Sequence, residues 1–197
     1  MARRQWIRAL PVRSIHGSRA VLLGTGDIGT EAARRLRAFG TTSITGVSRS
    51  GRALPDYDRV LPVSRLNEVL PETDLLILSL PGTPETRGLL SAERLALLPD
   101  GAVIVNVGRG ITVDQAALEK ELRAGRLLAA LDVFEREPIP PEDTIWTCPN
   151  LLITPHNAGN MSLPYTVERA AAMFLEDLEN YAAGRPLKHA ADVRKGY

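Results

Sequence analysis

Short apolar runs alternate along this chain with longer segments whose apolar residues recur every three or four positions, the pattern of strands alternating with helices. Residues 20–23 form the first run, residues 30–39 are helical in composition, and residues 44–47 are strand-like again, which makes a βαβ unit. A helix is expected over residues 64–70. It leads to Leu75-Leu76-Ile77-Leu78, an unbroken apolar run of the kind carried by a parallel strand buried on both faces. Residues 91–98 read as helix and 102–105 as another buried strand. Asp114 is placed to cap a helix that carries Leu118 and Leu122 on one face and stops at Gly125. Residues 128–131 and 151–153 complete the strands, and residues 135–149, with four prolines, read as irregular surface loop. From Val167 onward, Ala170, Ala171, Phe174, Leu175, Leu178 and Tyr181 mark a long amphipathic helix. No internal repeat or low-complexity tract interrupts this order.

Composition narrows the picture. A chain of 197 residues with 44% hydrophobic content can bury a full core. No apolar run approaches membrane-spanning length, so no membrane partner is expected. The formal charge of +1 hides an uneven layout, because Arg3, Arg4, Arg8, Arg13 and Arg19 all precede the first acid, Asp27. Trp6, Ile7 and Leu10 sit at helical spacing among those arginines, which predicts an amphipathic lead-in helix over residues 1–17 and not a secretory signal. Nucleic-acid binding through this start is a weak reading, since no aromatic interleaving accompanies the basic residues. Cys148 is alone, which excludes an intramolecular disulfide and fits a reducing, cytoplasmic setting.

The candidate chemistry begins with Gly24-Thr25-Gly26-Asp27-Ile28-Gly29, set between an apolar strand and a helix. In this arrangement the first glycine permits the tight turn, the second lets a pyrophosphate approach backbone N–H groups, and the third lets helix and strand pack closely, while the helix N-terminus adds positive potential. This is the fingerprint of a Rossmann-type fold, a doubly wound parallel sheet with helices on both faces. Here it carries N-terminal and C-terminal linking helices. The fingerprint expects an acid about 20 residues past the glycines to hold the ribose hydroxyls of NAD. No Asp or Glu lies between Glu31 and Asp56, and the segment reads Val47-Ser48-Arg49-Ser50-Gly51-Arg52. Guanidiniums offer forked donors to a phosphate and serines add neutral donors, so NADP(H) is the expected cofactor, with NAD(H) as the lesser possibility. Asp27 is awkward beside a pyrophosphate: either its side chain points to solvent while its backbone N–H faces the phosphate, or it binds a ribose hydroxyl.

Four further segments follow in order: LPGTPETRGLL, Val105-Asn106-Val107-Gly108-Arg109-Gly110, Leu131-Asp132-Val133-Phe134-Glu135-Arg136-Glu137-Pro138, and Thr154-Pro155-His156-Asn157-Ala158-Gly159. With the glycine motif they resemble the D-isomer-specific 2-hydroxyacid dehydrogenases, a family that includes glyoxylate/hydroxypyruvate reductases, phosphoglycerate dehydrogenases and D-lactate dehydrogenases. The resemblance implies that Arg109 binds the carboxylate and carbonyl of a 2-oxoacid, that His156 is the general acid/base, and that Glu137 pairs with His156. It places Leu80 and Pro81 near the adenosine, Thr86 near phosphate and ribose, Val107, Gly108 and Arg109 beside the nicotinamide, and Asp132 at the carboxamide, with His156 and Ala158 also among the cofactor-binding residues. Asp132 has a rival role as the cap of a turn, and Thr86 as the cap of a helix.

The chemistry of these residue types agrees with the roles that the resemblance implies. Reducing a ketone by hydride builds negative charge on oxygen, and a His near neutral pKa is the natural proton donor. A carboxylate behind it favours the protonated ring and fixes its orientation. Arg stays cationic and grips a carboxylate in a fork. No metal is called for.

The resemblance also implies a substrate domain ahead of the cofactor domain, and this sequence begins where the connecting helix is expected. The expected division is therefore a lead-in helix over 1–17, the cofactor domain over 18–160, and a C-terminal helix and tail over 161–197. Two readings of function compete. One is the cofactor domain of an oxidoreductase acting on a small 2-oxoacid or D-2-hydroxyacid. The other is a cofactor-binding module without turnover, such as an isolated domain or a nucleotide-responsive protein like the C-terminal-binding corepressors. Helix faces that lose part of their cover favour self-association, and the resemblance implies dimerisation through this domain, so a homodimer is the default expectation.

Overall fold

The computed structural model describes residues 13–159 and 163–190, and the expected helical arginines and Trp6, Ile7 and Leu10 lie outside them. Strands β1 (Arg19–Leu23), β2 (Ser43–Ser48), β3 (Arg59–Pro62), β4 (Leu75–Leu78), β5 (Val103–Asn106), β6 (Leu128–Leu131) and β7 (Leu151–Ile153) form one sheet in the order β3-β2-β1-β4-β5-β6-β7. Every pairing is parallel. Helices α1 (Asp27–Ala38), α2 (Ala92–Leu97), α3 (Gln115–Arg123) and α4 (Pro164–Ala182) connect or follow the strands. The chain runs outward from β1 in one direction and from β4 in the other, so the sheet has its topological switch between them, where open α/β sheets bind ligands.

The core divides along the two faces of the sheet. On one face Val21, Leu23, Leu76, Leu78, Ile104 and Leu131 pack against Leu95 of α2 and Leu118 and Leu122 of α3. On the other, Ala20, Leu22 and Ile44 pack against Ala33 and Leu36 of α1, with Tyr57 beside them. The side chain of Asp114 accepts the Ala117 N–H at 2.9 Å, which gives α3 the cap its sequence announced.

Four expectations are corrected. The helix expected over 64–70 is instead two short 3-10 stretches, Val63–Glu68 and Leu70–Glu72, because Pro71 removes a donor in the second turn. Strand β3 was not anticipated, since Arg59-Val60-Leu61-Pro62 carries too few apolar residues to announce itself, and it pairs only at the sheet edge. The described part of the lead-in, residues 13–17, is a turn and not a helix, closed by Ser18 N–H on the Ile15 carbonyl at 3.0 Å with Gly17 at a φ of 79°. β4 and β5 are not fully buried on both faces: Leu75, Ile77, Val103 and Val105 are only partly covered, and they line a second cavity with residues 13–18 and Leu36 of α1.

α4 spans Pro164–Ala182 and exposes Tyr165, Phe174, Leu175, Leu178 and Tyr181. Residues 185–189 fold back along it, with the Asp177 carboxylate accepting the backbone N–H groups of Lys188 and His189 at 2.7 and 2.9 Å. No helix among the described residues is long and apolar enough to cross a membrane.

Candidate active site

One line of register builds the base of the site. Leu23 pairs with Val47 on one side and Leu78 on the other, then Leu78 with Asn106, Asn106 with Leu131, and Leu131 with Ile153. The residues that follow, Gly24, Ser79, Val107, Asp132 and Thr154, therefore leave the sheet along one edge, level with Ser48 at the end of β2. Above that edge lies a cleft of about 950 Å³. Its walls include Gly24, Thr25, Gly26 and Ile28 from the glycine turn, Ser48, Arg49, Ser50 and Arg52 after β2, Leu80, Pro81 and Thr86 after β4, and Val107, Gly108 and Arg109 after β5. Segments far apart in sequence are thus gathered on one concave surface.

The three glycines of the turn do three different things. Gly24 has a φ of 102°, and a Cβ there would press on Ser79, so β1 can turn tightly beside β4. A Cβ at Gly29 would run into the Gly24 carbonyl, so α1 rests directly on the turn. Gly26 meets neither condition: its φ is −75° and a Cβ would find nothing within 4 Å. The protein's own packing does not need that glycine, whereas a group approaching from the cleft does. Gly26 is also the N-cap of α1 and supplies no side-chain cap, so the first-turn N–H groups are left for a partner from outside. A dinucleotide pyrophosphate fits this cradle. Asp27 is exposed and does not line the cleft.

At the far end, the Ser48 hydroxyl accepts the Gly51 N–H at 3.1 Å and shapes the loop that carries Arg49 and Arg52. Glu85 shares this wall. The Thr83 hydroxyl, its own backbone N–H and the nearby charge of Arg49 hold its carboxyl below the usual carboxylate range. Thr86 caps a turn, with its Oγ1 accepting the Thr83 N–H at 2.8 Å and donating to the Pro81 carbonyl at 2.7 Å.

Arg109 stands at the other end, fixed by its two glycine neighbours. A Cβ on Gly108 would strike the Leu80 backbone, and one on Gly110 would strike the Phe134 backbone, so both glycines permit contacts that hold the arginine between two loops. Asn106, only 1% exposed, finishes the turn: its Oδ1 accepts the Gly108 N–H at 3.0 Å and its Nδ2 donates to the Arg109 carbonyl at 3.1 Å. The Thr112 hydroxyl donates to the same carbonyl at 2.7 Å. Asn106 stood in the motif without a role; a buried amide at a strand end was the signal that could have assigned one.

His156, Glu137, Asp132 and Ala158 lie outside the cleft lining and form a group of their own. His156 Nδ1 lies 2.6 Å from Glu137 Oε2, and Glu137 Oε1 accepts the Phe134 N–H at 2.8 Å. Burial opposes the Glu137 charge, yet the His156 ring, the Phe134 N–H and the more distant Arg109 hold its carboxyl below the ordinary range. His156 takes a left-handed φ of 51°, sustained by its N–H on the Asp132 carbonyl at 2.8 Å. The Asp132 side chain organises the rest of that loop, accepting from the Thr154 hydroxyl, the Asn157 N–H at 3.0 Å and the Ala158 N–H at 2.9 Å. Burial again works against the charge, and the three donors outweigh it to hold Asp132 low. With Nδ1 committed to Glu137, the ring's other nitrogen is the one able to exchange a proton with a ligand.

Known proteins resemble this chain in sequence and fold. The family model described as "D-isomer specific 2-hydroxyacid dehydrogenase, NAD binding domain" matches residues 1–158. A glyoxylate/hydroxypyruvate reductase A of Salmonella newport is 34% identical over 177 residues, covering 89% of this chain and 55% of the reductase. An NADPH-dependent glyoxylate/hydroxypyruvate reductase from Sinorhizobium meliloti, solved with NADP and sulfate, superposes with a TM-score of 0.86 at 33% identity, over 100% of this chain and 62% of that one. A D-isomer-specific 2-hydroxyacid dehydrogenase from Xanthobacter autotrophicus Py2, solved with NADPH, gives a TM-score of 0.86 at 39% identity, over 100% and 79%. The chain thus spans little more than half the length of the curated reductase it matches.

Proposed function

The chain belongs to the D-isomer-specific 2-hydroxyacid dehydrogenase family through its NAD-binding domain, and from that membership we propose that it is the cofactor-binding part of an oxidoreductase that interconverts a small 2-oxoacid and its D-2-hydroxyacid. Residues 18–160 are the cofactor domain in this reading, and 161–197 a linking helix and tail. Its cofactor is NADP(H). Ser48, Arg49, Ser50 and Arg52 line one end of the cleft, and no acid intervenes between Glu31 and Asp56 to favour NAD. The Xanthobacter and Sinorhizobium relatives, solved with NADPH and NADP, support the same choice.

When bound, the dinucleotide supplies or accepts the hydride at the substrate's C2. The chain's own residues do the rest. The glycine turn from Gly24 to Gly29 and the N-terminus of α1 would hold its pyrophosphate, Leu80, Pro81 and Thr86 would flank its adenosine side, and Val107 and Gly108 would meet its nicotinamide, with Asp132 and Ala158 approaching it from the loop beyond the cleft lining. Arg109 grips the substrate carboxylate in a bidentate fork and polarises the neighbouring carbonyl. Reduction leaves charge on the carbonyl oxygen, and His156 meets it with a proton from the ring nitrogen not bonded to Glu137, whose carboxylate stabilises the imidazolium. The observation that carries the assignment is the 2.6 Å His156–Glu137 pair on a loop fixed by Asp132, with Arg109 near enough to Glu137 to act on its charge. Glyoxylate or hydroxypyruvate, the substrates named for the relatives, are the acids of choice.

A second reading, cofactor binding without turnover, draws on one fact: the His156 side chain is 49% exposed, and proton transfer to an oxyanion works best where water is excluded. A partner domain, or a second copy of this chain in a homodimer, would supply that cover.

Calorimetric titration with NADPH and NADH, followed by glyoxylate while absorbance of the reduced cofactor is read, separates the readings. Arg49→Ala should weaken NADPH far more than NADH; equal losses would sink the NADP assignment. Steady oxidation that falls about 10²-fold or more in His156→Ala identifies an enzyme with that acid. Tight NADPH binding without oxidation identifies a cofactor module.

A further inference from the structure

Two glycines around Arg109 belong to its own motif, and a third does not. Gly82 lies in the loop after β4, exposed, with a φ outside the left-handed region, so nothing in its backbone asks for glycine. Open space does not explain it either. A Cβ at Gly82 would lie 3.3 Å from Cγ and 3.5 Å from Cβ of Arg109, and 3.1 Å from Cδ1 of Ile111. The bare α-carbon is therefore the surface on which the arginine's aliphatic stem lies, with Ile111 as the neighbouring support. At its other end the same side chain is tethered by Nη1 donating to the Gly108 carbonyl at 2.7 Å. Stem and head are thus each fixed once.

We infer that Gly82 is a positioning residue for Arg109, setting the path of its side chain so that the guanidinium meets the substrate carboxylate at the rim of the cleft. The inference rests on the reading of Arg109 as the carboxylate-binding group. Its physical content is leverage. A methyl at position 82 pushes the stem near its root, and the displacement grows along the bonds out to the guanidinium. A bidentate fork tolerates little of this, because misplacement by about 1 Å can cost on the order of 10²-fold. The atoms that a methyl there meets belong to Arg109 and Ile111, whereas the glycine cradle and Arg49 sit in other loops, so the effect falls on the arginine.

The test uses the full chain saturated with NADP⁺ and titrated with oxalate, a non-reducible dianion with the carboxylate–oxygen geometry of a 2-oxoacid. Binding is followed by calorimetry and by the Arg109 Nε–H resonance. Gly82→Ala should weaken oxalate about tenfold and shift that resonance before any oxalate is added, with NADPH affinity within about twofold of the parent and the melting temperature unchanged. Ile111→Val removes the Cδ1 atom that the new methyl meets, so the Gly82→Ala/Ile111→Val double variant should recover most of the lost affinity. Arg109→Ala provides the reference. If Arg109→Ala abolishes oxalate binding and Gly82→Ala leaves it unchanged, Gly82 does not position the arginine. An equal loss of NADPH in Gly82→Ala, or no recovery in the double variant, overturns the inference too. If the parent does not bind oxalate, or Arg109→Ala binds it as well as the parent, the reading of Arg109 fails and takes the inference with it.

Discussion

Asp132 shows how a single buried side chain can matter more to a site than its motif suggests. It is 4% exposed and its oxygens receive three donors from the loop that carries His156. Its folded carboxyl titrates below the ordinary value, so it contributes stability that is present above about pH 4, the usual carboxylate value, and is lost as pH falls through the depressed folded value. Asp132→Asn puts an amide N–H against a backbone N–H and should cost about 2 kcal/mol at neutral pH. Denaturant titrations of both proteins should converge as the pH falls below about 4. A difference that persists there would mean that shape, and not charge, makes the contribution. Arg109, Glu137 and His156 were legible as candidates because they stand in ordered motifs and are residue types able to bind a carboxylate and to move a proton. Asn106 and Gly82 were not, because what they do depends on atoms that only the fold brings within reach.

At the scale of elements, β1, the glycine turn and α1 act as one unit, and their glycines separate folding from binding. Gly29→Ala pushes a methyl into the Gly24 carbonyl and should cost about 3 kcal/mol, the upper end for overpacking. Gly26→Ala meets no atom within 4 Å in an ordinary backbone conformation, so thermal stability should be unchanged within about 0.5 kcal/mol. It should nonetheless lower NADPH affinity about tenfold or more, since one charge-assisted N–H bond to a pyrophosphate is worth about 1.5–3 kcal/mol. Melting curves and cofactor titrations on the two variants check this; a Gly26→Ala protein that melts early would mean the glycine serves the fold. Elements with a strong local signal, such as the capped α3 and the apolar β4, were readable from the chain. The 3-10 stretches around Pro71 and the edge strand β3 were not, because a four-residue edge strand draws its order from β2 and not from its own sequence.

At the scale of the whole molecule, α4 carries the densest group of exposed apolar side chains among the described residues. Tyr165, Phe174 and Tyr181 are each more than two-thirds exposed, with Leu175 and Leu178 beside them. Faces of this kind mark association surfaces. Sedimentation velocity should find a concentration-dependent dimer, and Phe174→Glu with Leu178→Glu should return it to monomer; a parent monomeric at every concentration would refute the dimer.

The sequence by itself determined the alternation of strands and helices, the glycine turn, the basic segment in place of an acid, and the identities of the candidate catalytic residues. These are local matters of spacing, side-chain chemistry and backbone freedom, and they survive reading along a line. The tertiary structure alone decided how the pieces meet. Register across β2-β1-β4-β5-β6-β7 brings the strand ends into one row, and Asp132 rather than any neighbour in sequence ties down the His156 loop. Those outcomes depend on contacts between residues far apart along the chain, for which one-dimensional spacing carries no signal.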